Sequence, residues 1–146
     1  MNIVVDANLV AALALPLPYS EWVAEKMVAW KRAGIELHAP SLLEYELASI
    51  LRKAVVAGLM TTDAAVEAMR GFEALNINIS PPTIALHTKA LHWAERLGQS
   101  KTYDAHYLAL AEKLEVELWT ADRRLVQCAR QAGVNWVRGI GDPTGV

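Results

Sequence analysis

The sequence contains a single cysteine, Cys128, which excludes an intrachain disulfide and a cysteine-rich zinc site. It also lacks a long apolar run, because polar residues and two prolines interrupt the stretch up to Pro18 and prevent it from spanning a membrane. No basic segment precedes Ile3, so a secretory signal is not expected. A cytoplasmic location is the expectation that fits these features.

An excess of positive charge is missing as well. The chain carries 14 Lys and Arg against 16 Asp and Glu, a formal net charge of −2. This balance argues against binding nucleic acid through bulk positive charge. It does not exclude a nuclease, since a metal-binding cluster is itself acidic and bound cations reverse the local field where a phosphate must lie.

Several kinds of catalytic site are absent from the pattern. The four histidines show no i, i+4 pair and have no cysteine companions, so no zinc site is expected. No Ser, Cys or His constellation suggests covalent catalysis, and no glycine-rich phosphate loop follows a strand. There is no linker, repeat or low-complexity tract. One domain is therefore predicted over residues 1–140, followed by a loose tail at 141–146.

Short apolar segments alternate with helical patterns along the chain. Strands are predicted at 3–5, 36–38, 77–79, 116–120 and 135–137, and helices at 9–15, 21–31, 41–56, 61–75, 83–97, 102–114 and 123–131. Strands that are short, apolar and separated by helices indicate a parallel sheet covered on both faces. The fold class expected is α/β.

Two acids follow predicted strands. Asp6 ends the first strand, and Asp122 comes two residues after Thr120. In open α/β sheets, sites form beyond the carboxyl ends of the strands, near a switch in strand order. The alternative for each acid is an ordinary helix cap, because Asp is favoured before a first helical turn.

Asp104 lies near the start of a predicted helix and shares a face with Leu108 and Ala111. That face is the apolar stripe of the helix. Burying a carboxylate costs several kcal/mol unless it is paired, hydrogen-bonded or bound to a metal. The alternative is a first-turn acid favoured by the helix dipole.

Glu44 and Glu46 compete for a fourth position. They flank the apolar stripe of the 41–56 helix on opposite sides, so periodicity does not choose between them. Ser41 and Glu44 have capping-box spacing, which would occupy Glu44 with its own backbone and leave Glu46 as the freer carboxylate. Four acids at equivalent edges of one sheet make a plausible Mg²⁺ or Mn²⁺ site, since both ions prefer oxygen ligands.

The sequence resembles the PIN-domain nucleases, most closely the VapC-type toxins of toxin–antitoxin pairs. Four segments carry the resemblance, in the family's order: 3–8 (IVVDAN), 40–48 (PSLLEYELA), 103–112 (YDAHYLALAE) and 119–125 (WTADRRL). No single segment is decisive, but the four together cover nearly the whole chain. One departure is Ser49, where many relatives carry asparagine.

The resemblance implies a three-layer α/β/α fold with a short, mostly parallel sheet. It implies endoribonuclease activity with Mg²⁺ or Mn²⁺, a homodimer, and inhibition by a cognate VapB-type antitoxin. It selects Glu46 over Glu44 and adds Asn8 and Thr120 as polar supports for the acids. The implied catalytic and metal-binding acids are Asp6, Glu46, Asp104 and Asp122. The number of metal ions is left open.

Arg123 and Arg124 directly follow Asp122 and could contact RNA phosphate. The alternative is a solvated first helical turn. The other basic residues are scattered and are interpreted mostly as ordinary surface: Arg52, Lys53, Lys89, Arg96 and Lys101.

Two further function classes remain open. One is a PIN-like binding module that no longer cleaves and acts only through an antitoxin or RNA complex; the complete set of acids argues against it. The other is an α/β phosphatase. Such enzymes typically need a second acid two residues after the nucleophilic aspartate, and that position is Asn8.

Overall fold

Strands and helices alternate along the chain, as the sequence predicts. The computed structural model describes residues 1–142. The strands are β1 (Asn2–Val5), β2 (Glu36–Pro40), β3 (Asn78–Ser80), β4 (Glu117–Trp119) and β5 (Val137–Arg138). The helices are α1 (Ala7–Ala11), α2 (Ser20–Arg32), α3 (Leu42–Val56), α4 (Thr62–Glu73), α5 (Ile84–Leu97), α6 (Tyr103–Leu114) and α7 (Arg123–Gln131).

The five strands form one parallel sheet in the order β3-β2-β1-β4-β5. The chain builds the sheet outward from β1 through β2 to β3, then returns to place β4 on the other side of β1. The strand order therefore switches between β1 and β4, where Ile3 pairs with Glu117 and Val5 with Trp119. Helices cover the sheet in a three-layer α/β/α arrangement, which confirms the predicted fold class.

Strand β1 is the central strand of the sheet, and its residues after Asn2 are apolar and buried accordingly. Its residues Ile3, Val4 and Val5 are fully buried, as a strand covered on both faces requires. The neighbouring Trp119 is also fully buried and packs against Trp22 and Trp30, with ring centroids 6.0 and 5.3 Å apart. Helix α2 thus covers the sheet face toward which Trp119 points.

Some predicted boundaries are wrong. Helix α1 starts at Ala7 and ends at Ala11, whereas the sequence pattern predicts 9–15. The Asp6 side chain caps this helix directly after β1, which moves its start forward. Strand β5 begins at Val137, two residues later than predicted, because its pairing with β4 starts there.

The segment after β5 is described only as far as Asp142. One carboxylate oxygen of Asp142 accepts a hydrogen bond from Gly139 N–H at 2.8 Å and lies 3.1 Å from Arg130 Nη2. The rest of the predicted tail, residues 143–146, lies outside the described residues. None of the seven helices in residues 1–142 combines enough length with enough apolar character to cross a lipid bilayer.

Candidate active site

Asp6 lies beside the switch in strand order. It follows β1 directly and is only 4% exposed. Its Oδ1 accepts a hydrogen bond from Leu9 N–H at 2.9 Å, which caps α1, and its Oδ2 accepts one from the Thr120 hydroxyl. The first turn of α1 therefore holds one carboxylate oxygen of Asp6, and Thr120, the residue after β4, holds the other.

The charge state of Asp6 is strongly perturbed. Its pKa is raised from 3.8 to about 7, chiefly by burial. The hydrogen bonds from Thr120 and Leu9 lower the pKa, and the negative charges of Asp104 and Glu46 raise it. Such a carboxyl is poorly stabilised as an anion by the protein alone. A cation in contact with it would supply the missing stabilisation.

Thr120 links the acids that follow β1 and β4. Its hydroxyl donates to Asp6 and accepts a hydrogen bond from the backbone N–H of Asp122 at 2.9 Å. Asp122 in turn caps α7, since its Oδ1 accepts from Arg124 N–H at 2.9 Å and from Leu125 N–H at 3.4 Å. Asp6 and Asp122 are thus helix caps as well as neighbours at one edge of the sheet.

Glu46 is distinguished from Glu44 by its tertiary contacts. The Tyr107 hydroxyl donates a 2.7 Å hydrogen bond to Glu46 Oε1, and Glu46 is half-buried whereas Glu44 is exposed. The capping box predicted for Ser41 and Glu44 is wrong. Ser41 has helical backbone angles (φ −58°, ψ −22°) and its side chain caps nothing, whereas a capping serine needs an extended backbone.

Burial also raises the pKa of Glu46, with a further increase from the charge of Asp104 and a decrease from the Tyr107 hydrogen bond. The pKa of Asp104 is raised by burial first and by the charge of Asp122 second. Each of these acids therefore feels the charge of at least one other. Glu46 and Asp104 line one open cavity of about 420 Å³.

The described acids do not form a closed metal-binding cage. Within residues 1–142, no group of three or more His, Cys, Asp or Glu side chains is arranged to hold a metal ion by itself. Mg²⁺ keeps several of its waters and takes only one or two protein carboxylates together with substrate phosphates. An open set of mutually repelling carboxylates, one of them buried, fits that kind of binding and does not resemble a closed all-protein cage.

The remaining residues selected from the sequence lie around this site. Asn8 is exposed and lines a cavity together with Glu46, but it forms no hydrogen bond to the four acids in the described part of the chain. Arg123 and Arg124 are exposed in the first turn of α7.

Two features of the site region are not evident from the sequence pattern. Tyr107 lies in the helix predicted at 102–114, but the sequence pattern does not identify the partner of its hydroxyl. A buried tyrosine hydroxyl usually has a hydrogen-bond partner, and this is the available signal. His87 and His106 lie on different helices, with Nδ1 of the first 2.7 Å from Nε2 of the second. Because the two histidines are 19 residues apart in the sequence, no local pattern predicts that they form a pair.

Comparison with known proteins identifies the class. The sequence profile of the PIN domain matches residues 3–131. The chain is 37% identical over 131 residues to Ribonuclease VapC3 of Pyrobaculum aerophilum, covering 87% of this chain and 94% of that protein. It is 36% identical over 123 residues to Ribonuclease VapC9 of Mycobacterium tuberculosis, covering 84% and 87% of the two chains.

Solved structures show the same fold. PAE2754 from Pyrobaculum aerophilum superposes with a TM-score of 0.65 at 24% identity, over 88% of this chain and 79% of that one. The sarcin-ricin-loop-cleaving toxin VapC20 of Mycobacterium tuberculosis gives a TM-score of 0.61 at 18% identity, over 81% and 86%. The protein belongs to the PIN-domain family. Within the family it is of the VapC type, as the two curated relatives indicate.

Proposed function

We propose that this protein is a VapC-type toxin, an endoribonuclease that hydrolyses RNA phosphodiester bonds with Mg²⁺ or Mn²⁺. The observation that carries the proposal is the meeting of Asp6, Glu46, Asp104 and Asp122 around the carboxyl ends of β1 and β4. Burial and mutual repulsion raise the pKa values of the first three of these carboxyls. The relatives named as ribonucleases support RNA as the substrate.

The four acids are the proposed ligands of the cation. When bound, a divalent ion stabilises charge that develops on the phosphate and lowers the pKa of an attacking water. The chain's own residues hold the ligands in position. Thr120 fixes the orientation of Asp6, and Tyr107 fixes that of Glu46, so neither carboxylate has to reorganise during the reaction.

Thr120 carries out a second positioning task. Because its oxygen also accepts the Asp122 backbone N–H, it sets the distance between the end of β4 and the start of α7. Asn8 is proposed as a polar support nearer the solvent side of the site. Arg123 and Arg124 extend into solvent from the same helix start and are proposed to meet RNA phosphate.

The proposed partners follow from the relatives. A solved structure named VapBC-1 from Haemophilus influenzae superposes over 97% of this chain and the whole of that chain, with a TM-score of 0.61. We infer a cognate VapB-type antitoxin for this protein and a homodimer as its own assembly. Co-expression with the product of a small adjacent reading frame, where one is found, tests the first inference, and size-exclusion chromatography of the protein alone tests the second.

Cleavage of structured RNA by the purified protein tests the activity. Wild-type protein with Mn²⁺ should cleave, EDTA should stop the reaction, and Asp104→Asn should abolish it. Glu46→Gln should also abolish cleavage, whereas Glu44→Gln should not. This second pair is a matched control, because the two glutamates lie two residues apart on α3 and only Glu46 faces the other acids.

Equal cleavage by wild type and Asp104→Asn would contradict the proposed site. Isothermal titration calorimetry with Mn²⁺ measures divalent-cation binding and so distinguishes the enzyme from a catalytically silent binding module. A wild-type protein that binds RNA or an antitoxin but binds no divalent cation would be the catalytically silent binding module.

A further inference from the structure

Two exposed tyrosines stand beside the acids. Tyr45 is 75% exposed and directly precedes Glu46; Tyr103 is 53% exposed and directly precedes Asp104. Within residues 1–142 neither hydroxyl forms a hydrogen bond, in contrast to the buried Tyr107. These two rings therefore contribute little to the core and are available to a ligand.

Both tyrosines line the same two cavities. The first, of about 440 Å³, also contains Glu46 and so opens onto the acids. The second, of about 250 Å³, is a recess that shares Leu42 with the first and has mostly apolar walls, including Pro40, Pro82 and Leu86, with His87 and His106 also lining it. We call it the Tyr45–Tyr103 recess. Within the described residues the two rings are not stacked on each other, and both line this recess.

Two lysines lie on the first cavity. Lys53 and Lys101 are both exposed there, and neither forms an ion pair in the described part of the chain. Four other basic side chains in the described residues do pair with an acid: Arg70, Lys89, Arg130 and Arg138. Ammonium groups left unpaired on an otherwise acidic protein attract phosphate groups.

We propose that the Tyr45–Tyr103 recess binds one unpaired nucleobase beside the phosphate to be cleaved, with Lys53 and Lys101 holding the neighbouring phosphates. This inference rests on the proposed endoribonuclease function and assigns a base-binding position beside its site. Bases inside a duplex are stacked on each other and cannot enter the recess. Stacking on a ring does not depend on the hydrogen-bonding edge, so this position should tolerate several bases.

Fluorescence anisotropy in EDTA tests the inference independently of cleavage. The probes are a short labelled single-stranded RNA and the same sequence as a duplex. Stacking of one base on an aromatic ring contributes about 1–3 kcal/mol. Tyr45→Ala and Tyr103→Ala should therefore each weaken single-strand binding by about 5-fold to 150-fold. Tyr→Phe at either position keeps the ring and should restore affinity.

The lysines have a separate readout. Lys53→Ala and Lys101→Ala should each reduce the slope of log affinity against log salt by about one, without changing base preference. Leu59→Ala is the control for loss of an exposed apolar side chain, because Leu59 is 63% exposed and lies beyond the end of α3. Equal thermal unfolding midpoints would show that every variant is folded.

Three results would overturn the inference: tyrosine-to-alanine variants that bind like wild type, duplex bound as tightly as single strand, or no binding of single strand by wild type. Cleavage by wild type with unaffected tyrosine variants would remove this inference and leave the endoribonuclease standing. Tyrosine-dependent binding of single-stranded RNA without any cleavage would support the recess as a base-binding position and contradict the endoribonuclease activity.

Discussion

In metal-free buffer, the free energy of unfolding should fall as the pH rises from about 4 to 7, and Asp6→Asn should remove most of this decrease. The reason is the buried Asp6 carboxyl, whose pKa is raised from 3.8 to about 7 mainly by burial. The folded protein holds this proton over a pH range in which the unfolded chain releases it. Stability falls with pH wherever the folded state binds more protons.

The magnitude follows from the two pKa values. Protonation of Asp6 stabilises the fold fully below pH 3.8, and this contribution is lost as the pH rises through about 7. Each tenfold difference in proton affinity corresponds to about 1.4 kcal/mol, so the loss is on the order of 4 kcal/mol. Small domains have a total stability of about 5–15 kcal/mol, so the effect is large.

Urea unfolding in EDTA at a series of pH values between 4 and 8 measures the decrease. Asparagine stays neutral throughout and can still accept the Leu9 N–H bond, so Asp6→Asn should be more stable than wild type at pH 8. Glu46 and Asp104 also have raised pKa values, which leaves a smaller slope in the variant. Asp63→Asn, in the exposed first turn of α4, is the matched control and should keep the full wild-type slope.

Identical pH slopes for wild type and Asp6→Asn would refute the account of Asp6. Addition of Mg²⁺ at pH 8 provides an independent check, because a ligand that binds only the folded state stabilises it. The wild type should gain stability from the ion and Asp6→Asn should gain much less. An equal gain in both would place the ion elsewhere.

Three other substitutions test the supports of the site. Tyr107→Phe removes the donor to Glu46 and should lower the free energy of unfolding by about 1.5–3 kcal/mol near pH 8, measured by urea unfolding. Because that bond lowers the pKa of Glu46, the acidic limb of the cleavage pH profile should move to higher pH in this variant. An unmoved limb would contradict the role of Tyr107 at Glu46. Thr120→Val removes a hydrogen-bond partner of Asp6 and should lower the free energy of unfolding by about 1–3 kcal/mol, measured by thermal unfolding. Thr120→Ser keeps the hydroxyl and should recover most of this stability. Equal losses in the two variants would show that packing, not the hydrogen bond, is responsible. Trp119→Ala empties a fully buried position and should cost about 3–5 kcal/mol by calorimetry, and a cost below 1 kcal/mol would contradict the described core.

Much of the fold could be predicted because its signals are local. A run such as Ile3–Val5 is apolar at every position, which is typical of a strand buried on both faces. The start of α1 was missed because an aspartate directly after a strand can begin the helix at once. The absent Ser41 capping box has a similar origin: spacing predicts the partners, but the backbone angles at Ser41 decide whether the bond can form.

The site was predictable to different degrees at different residues. Asp6 and Asp122 were selected by their position after strands, and parallel strands bring their carboxyl ends to one edge. Local pattern could not choose Glu46 over Glu44; the resemblance did so, and in the structure the choice corresponds to a hydrogen bond from Tyr107, which lies 61 residues away. Lys53 and Lys101 looked like ordinary surface because nothing local connects them with each other.

The sequence by itself determined the fold class and the family and selected the four candidate acids, since these depend on residue order, apolar periodicity and short motifs. Only the tertiary structure decided how far those acids are buried and which charges lie near them. Burial raises the pKa of Asp6, and the charges of Glu46 and Asp104 add to it because folding brings α3 and α6 to the edge of β1. Desolvation and Coulomb repulsion depend on distances in space, and separation along a chain does not specify those distances.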